Sequence, residues 1–130
     1  MFQFEVAKRL VAKPGSKSYG RLSIMAQYHC EIKIILEIPP GCFYPIPKVN
    51  SAKVYFVPRT TQSYCANYKL FSDVVKHSFN QRRKTIQNSL KTFYPDLDWT
   101  KLKISPSIRP EQLTVDDFLS IANLIALELK

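Results

Sequence analysis

The sequence predicts an α/β chain in which a short β-rich first half gives way to an all-helical second half. Three observations carry this expectation. Two runs, E-I-K-I-I-L-E-I at 31–38 and S-A-K-V-Y-F-V at 51–57, are rich in β-branched residues and read as strands. Phe71, Val75, Phe79, Ile86, Leu90 and Phe93 recur at intervals of three, four or seven, the apolar stripe of a helical segment. Between these regions the composition changes after Pro58, where a polar stretch without periodicity begins.

Taken in order, residues 1–12 start with a strand-like apolar alternation and pass into helix-prone sequence. Lys13-Pro14-Gly15-Ser16-Lys17 is a loop by composition. From Tyr19 to Cys30, Leu22, Met25, Ala26 and Tyr28 keep helical spacing, which predicts a short amphipathic helix. Pro39, Pro40, Pro45 and Pro47 make the connection between the two strands extended and unable to join the middle of a sheet. The expected division is a first unit over 1–58, a linker over 59–66 and a helical unit over 67–130. Within the last, a break is expected near Asn80-Gln81, because 67–94 exceeds an ordinary helix. Asp98 is placed to cap a short helix, and Thr114 to cap the final one, with Asp116 and Asp117 in its first turn. Val115, Phe118, Ala122, Ile125 and Leu129 form the expected buried face of that last helix. Three short strands make a thin sheet, and a strand over 1–6 would leave a bare edge. That pattern reads as the end of a larger α/β sheet.

The chain has 130 residues, 45% of them hydrophobic and 12% aromatic, which suffices for a real core and argues against disorder. Its formal charge of +9 points to an anionic partner, either nucleic acid or an acidic membrane surface. Cys30, Cys42 and Cys65 form no C-x-x-C pair, and His29 and His77 are the only histidines. The spacing argues against a metal site and for reduced, half-buried thiols in a cytoplasmic protein. No uncharged run is long enough to span a bilayer, and the cations centre on a helix whose apolar stripe is needed for the core, so no membrane is expected as a partner.

G-S-K-S-Y-G-R-L at 15–22 has the glycine spacing of a phosphate-binding loop but carries Arg21 and Leu22 where the lysine and hydroxyl belong. No nucleophile–base pair stands out. Arg82-Arg83-Lys84 interrupts the apolar stripe with three consecutive cations, flanked by Asn80, Gln81, Gln87 and Asn88. Such a run is either a solvated helix face or a phosphate-binding one, since guanidinium forks match phosphate oxygens. Phe43-Tyr44 lies in a proline-stiffened segment, which is either a rigid sheet connection or a flat face for base stacking.

These residues match a known pattern. F-Y-P-I-P-K-V-N-S at 43–51 and S-F-N-Q-R-R-K-T-I-Q-N-S-L at 78–90 resemble motifs of the rRNA adenine dimethyltransferases, with further agreement over 3–23 and 104–118. The R-R-K-T and R-P-E-x-L elements resemble the branch that acts on small-subunit rRNA more than the erythromycin-resistance branch. Phe4 departs from the pattern, which usually has Lys there.

The resemblance implies the last strands of a Rossmann-like S-adenosylmethionine-dependent methyltransferase sheet, followed by a small all-α C-terminal domain. It implies that the chain corresponds to the C-terminal half of such an enzyme. The glycine-rich loop for S-adenosylmethionine and the Asn-Leu-Pro-Tyr motif would belong to an N-terminal half, so no cofactor is expected on this chain alone. By the same resemblance, Phe43 would stack on the target adenine and Lys48, with Pro45 and Asn50, would hold its loop. Arg82, Arg83, Lys84, Arg109 and Lys48 would grip rRNA. The implied partners are small-subunit rRNA in a 30S-type particle and the N-terminal half of the enzyme; apart from the resemblance, the exposed strand offers an edge through which a second copy could pair. The implied reaction is dimethylation of two adjacent adenines near the 3′ end of that rRNA during ribosome biogenesis. The competing expectation is a standalone, non-catalytic RNA- or ribosome-binding module.

Overall fold

The computed structural model describes residues 1–42, 44–46, 48–61 and 63–129. The chain runs β1 (Phe2–Gln3), α1 (Phe4–Val11), α2 (Arg21–His29), β2 (Cys30–Ile38), β3 (Ser51–Pro58), α3 (Tyr68–Asn80), α4 (Ile86–Lys91) and α5 (Val115–Glu128), with short 3₁₀ turns at Pro40–Cys42, Trp99–Lys101 and Pro110–Gln112. The expected α/β class is the one observed.

The sheet has the order β1-β3-β2 and both pairings are antiparallel. Val57 lies opposite Glu31 and Ser51 opposite Ile38, with a bulge between Ile34 and Leu36. Period-2 alternation sorts the strands: Ala52 is buried and Ile32, Ile34 and Val54 are half-buried, whereas Ile35, Tyr55 and Val57 are exposed. The first strand is shorter than a strand over 1–6. Its ladder ends where the Phe4 amide donates to the Asn50 carbonyl at 2.9 Å, and the helix begins at once. Ala7 and Leu10 bury one face of that helix, while Glu5 in its first turn and Lys8 and Arg9 in its last suit the helix dipole.

The long helical stripe breaks after Asn80. Asn67 caps α3 by accepting from the Leu70 amide at 3.2 Å, and Thr85 restarts the helix by accepting from the Asn88 amide at 3.3 Å. Thr114 and Asp117 form a reciprocal capping box at the start of α5, with bonds of 3.1 and 3.0 Å. The main core joins Phe71, Val74 and Val75 of α3, Ile86 and Leu90 of α4, and Phe118, Leu119, Ile121, Ala122 and Ile125 of α5. Two expected core residues are instead exposed: Leu129, beyond the last turn of α5, and Leu22, because α2 turns Ser23 and Ile24 inward. Cys42 is exposed, not half-buried, and no residue of its 3₁₀ turn is buried.

The same core also takes in Ala12, Tyr19 and Ile24 from the first half of the chain. Residues 59–66 are tied down at both ends. The Arg59 amide donates to the His29 carbonyl at 3.0 Å and its Nε to the Gln27 carbonyl at 2.7 Å. Asn123 of α5 accepts from the Ala66 amide and donates to the Tyr64 carbonyl, both at 2.9 Å.

Tyr19 bolts the loop before α2 to the helical half. It is fully buried, donates its hydroxyl to the Leu113 carbonyl at 2.7 Å and meets Phe79 edge-on. Tyr19→Phe strands that carbonyl and is expected to cost about 1–3 kcal/mol in urea unfolding. Burial first, and then the Asp117 carboxylate, pushes the Tyr19 phenol well above its usual range. The unfolded phenol ionises near pH ~10, and the folded one at higher pH. Its contribution is therefore whole below that point and falls as pH rises beyond it. Tyr19→Phe is expected to lose stability less steeply than the parent in this alkaline range. A parallel decline would contradict the assignment.

Candidate nucleic-acid interface

Three segments far apart in sequence converge on one groove, and backbone hydrogen bonds bring them there. The Ile86 amide donates to the Ile108 carbonyl at 2.7 Å and the Gln87 amide to the Pro106 carbonyl at 3.2 Å, which sets the 105–109 loop against the start of α4. The Gly15 amide donates to the Glu111 carbonyl at 2.7 Å, which docks the 13–17 loop beside them. Gly15 holds φ at +90°, a conformation that an L side chain rarely adopts. Within this frame Lys17, Arg82, Arg83, Arg109 and Glu111 line a groove of about 400 Å³. Four cations thus face one carboxylate.

Arg82 is the member that the fold already uses. Its Nη2 donates to Glu111 Oε2 at 2.9 Å and to the Tyr19 carbonyl at 3.1 Å, and its Nε reaches the same Glu111 oxygen at 3.3 Å. The guanidinium also sits 5.9 Å from the Phe79 ring centroid. Arg82 therefore joins the turn after α3 to the Pro110–Gln112 turn and to Tyr19. Arg83, Arg109 and Lys17 are exposed at the groove. Lys84 is exposed too, with its amide bonded to the Gln81 carbonyl, but does not line the groove. The sequence thus brings Arg82, Arg83 and Arg109 to one place. Lys17 and Glu111 are additions that sequence reasoning assigned to no site.

The second expected site is the β2–β3 connection. Phe43 lies outside the described residues, as does Pro47. Tyr44 is almost fully exposed and Lys48 is exposed. Asn50 anchors the segment: its Nδ2 donates to Glu37 Oε1 at 2.8 Å, while its carbonyl accepts from Phe4. The connection is thereby fastened at its C-terminal end to β2 and to the start of α1, some distance in sequence from the groove. Among the described residues there is no cluster of metal-ligating side chains, and no helix is long and apolar enough to cross a membrane.

The fold is one that solved adenosine and rRNA methyltransferases share. A dimethyladenosine transferase from Plasmodium falciparum superposes with a TM-score of 0.72 at 21% identity, over 92% of this chain and 53% of that one. The 23S rRNA methyltransferase ErmE superposes with a TM-score of 0.64 at 20% identity, over 95% of this chain and 52% of the other. Residues 1–127 match the family model for ribosomal RNA adenine dimethylase, and the chain belongs to that family. It is 46% identical over 125 residues to a ribosomal RNA small subunit methyltransferase A from Shewanella piezotolerans, covering 95% of this chain and 46% of that protein. The protein of the same name from Francisella tularensis subsp. novicida is 45% identical over 128 residues, covering 97% of this chain and 49% of the relative. The chain spans about half the length of these relatives.

Proposed function

We propose that this chain is the rRNA-gripping C-terminal portion of an S-adenosylmethionine-dependent rRNA adenine dimethyltransferase. In this reading the enzyme methylates two adjacent adenines near the 3′ end of small-subunit rRNA in the cytoplasm, on a 30S-type particle. The observation that carries the proposal is the groove, in which Lys17, Arg83 and Arg109 from three separate segments face one another within the part that matches the family. Guanidinium forks take phosphate oxygens two at a time, and an ammonium adds a point charge, so the groove suits a folded sugar-phosphate backbone. Arg82, held by Glu111 and Tyr19, keeps the neighbouring Arg83 at the rim.

Among the described residues, the three glycines do not form a cradle for the methyl donor. Gly15 sits in a turn, Gly20 begins α2 from a loop and Gly41 lies in a 3₁₀ turn, so none makes a glycine-rich strand-to-helix turn. In the proposal the donor site and half of the adenine pocket belong to the N-terminal portion of the enzyme, which would lie alongside the sheet. Phe43 supplies the other wall, stacking on the flipped adenine, and the Asn50 anchor limits movement of its segment. The domain division at 58/59 and linker 59–66 carry over as part of the proposal, with residues 67–130 as the RNA-binding unit. The β1 edge is where the N-terminal portion or a second copy would pair.

Filter binding of the full chain to small-subunit rRNA tests the grip. Binding at low salt that weakens linearly on a log–log plot is expected. A chain that leaves this RNA free at low salt would contradict the proposal.

A further inference from the structure

A second concavity, of about 250 Å³, opens between α4 and the turn that follows it. Its walls are Gln87, Asn88, Lys91, Tyr94 and Trp99, over Leu90 and Leu97, which are nearly fully buried. It shares no residue with the basic groove. The two rings are firmly placed. Tyr94 donates its hydroxyl to Glu128 of α5 at 3.0 Å, and Trp99 starts a 3₁₀ turn that Asp98 caps by accepting from the Thr100 amide at 3.1 Å. Hydrogen bonds from the Thr100 hydroxyl and amide hold the Asp98 carboxyl below its usual range, so the cap persists at neutral pH.

The chemistry of the lining narrows what fits. Among the described residues no carboxylate lines the cleft, which argues against a cation or a basic peptide. Two aromatic rings over an apolar floor favour a planar ring. Two exposed primary amides offer donors and acceptors at its edge, and one ammonium suits a nearby phosphate. The volume falls below the ~300–1,000 Å³ of sites for whole cofactors, and so suits one base better than a complete nucleotide. The cleft also follows the proposed interface along the chain, because α4 starts three residues after Arg83, which lines the groove.

We propose that this cleft receives one unpaired nucleobase of the bound RNA, stacked on an aromatic wall and read at its edge by Gln87 and Asn88. The inference rests on the RNA-binding reading above. Trp99 is the only tryptophan of the chain, so its emission reports on the cleft directly.

The full chain is titrated with a fluorescein-labelled oligoadenylate and with an abasic oligomer of equal length, following anisotropy and, with unlabelled oligomers, Trp99 emission. Saturable quenching by the oligoadenylate, at the midpoint seen by anisotropy, is expected, with little quenching by the abasic oligomer. Trp99→Leu is expected to weaken oligoadenylate binding about tenfold, the size of one lost base–aromatic stack. Trp99→Tyr, which keeps a ring, should restore most of it, which a purely structural loss would not. Equal quenching by both oligomers overturns the base pocket. So does oligoadenylate binding with Trp99 emission unchanged, or binding of small-subunit rRNA without any binding of oligoadenylate. Failure to bind either RNA would instead sink the RNA-binding reading itself.

Discussion

Replacing Lys17, Arg83 and Arg109 together by alanine is expected to flatten the slope of log K against log salt by about 2–3 units on small-subunit rRNA. Each phosphate contact contributes roughly 0.7–0.9 to that slope. All three side chains are exposed at the groove, so the triple variant should keep the parent's melting temperature within a few degrees. Arg82→Ala should behave in the opposite way. It leaves Glu111 and the Tyr19 carbonyl without the guanidinium that joins them, and lowers stability more than it changes the slope. Filter binding across a salt series, with thermal melts of each variant, separates the two effects. An unchanged slope in the triple variant would return these cations to an ordinary solvated surface.

The second large effect concerns Phe43. In a fusion of this chain to the portion of the Shewanella piezotolerans relative that it does not span, Phe43→Ala is expected to lower methyl-transfer turnover by about 5- to 150-fold. That range corresponds to the ~1–3 kcal/mol of one base–aromatic stack. RNA affinity should change little, because the cations proposed to meet phosphate lie on other segments. Phe43→Tyr should recover most of the turnover. Loss of RNA affinity with turnover intact would contradict a role in holding the adenine.

Local features were the most legible. The Thr114 cap, the Asp98 cap and the two main strands each follow from signals within a few residues, and the break after Asn80 from the length of the apolar stripe. Faces at helix ends were harder. Leu129 fits the apolar spacing of α5 but falls past its last turn, and Leu22 fits α2 but is turned outward by the burial of Ser23 and Ile24. The groove was half-legible. Arg82 and Arg83 stand out as a charge run, and Arg109 enters through a family motif. The ion pair of Arg82 with Glu111 joins residues 29 apart, and Lys17 is brought to the groove by its neighbours, through the Gly15–Glu111 hydrogen bond and the bonds of Tyr19 to Leu113 and Arg82. Neither link has a local sequence signature. Glu111 stands in the R-P-E-x-L element, which was the available hint that a carboxylate sits beside the basic cluster.

The most direct test of the central claim is transfer of labelled methyl groups from S-adenosylmethionine to small-subunit particles lacking the modification. Two proteins are compared: this chain alone, and its fusion to the remaining portion of the Shewanella piezotolerans relative. The expected result is no incorporation by the chain alone, and incorporation by the fusion into two adjacent adenines near the rRNA 3′ end. Incorporation by the chain alone, or a folded fusion that binds the particle and methylates nothing, would contradict the account.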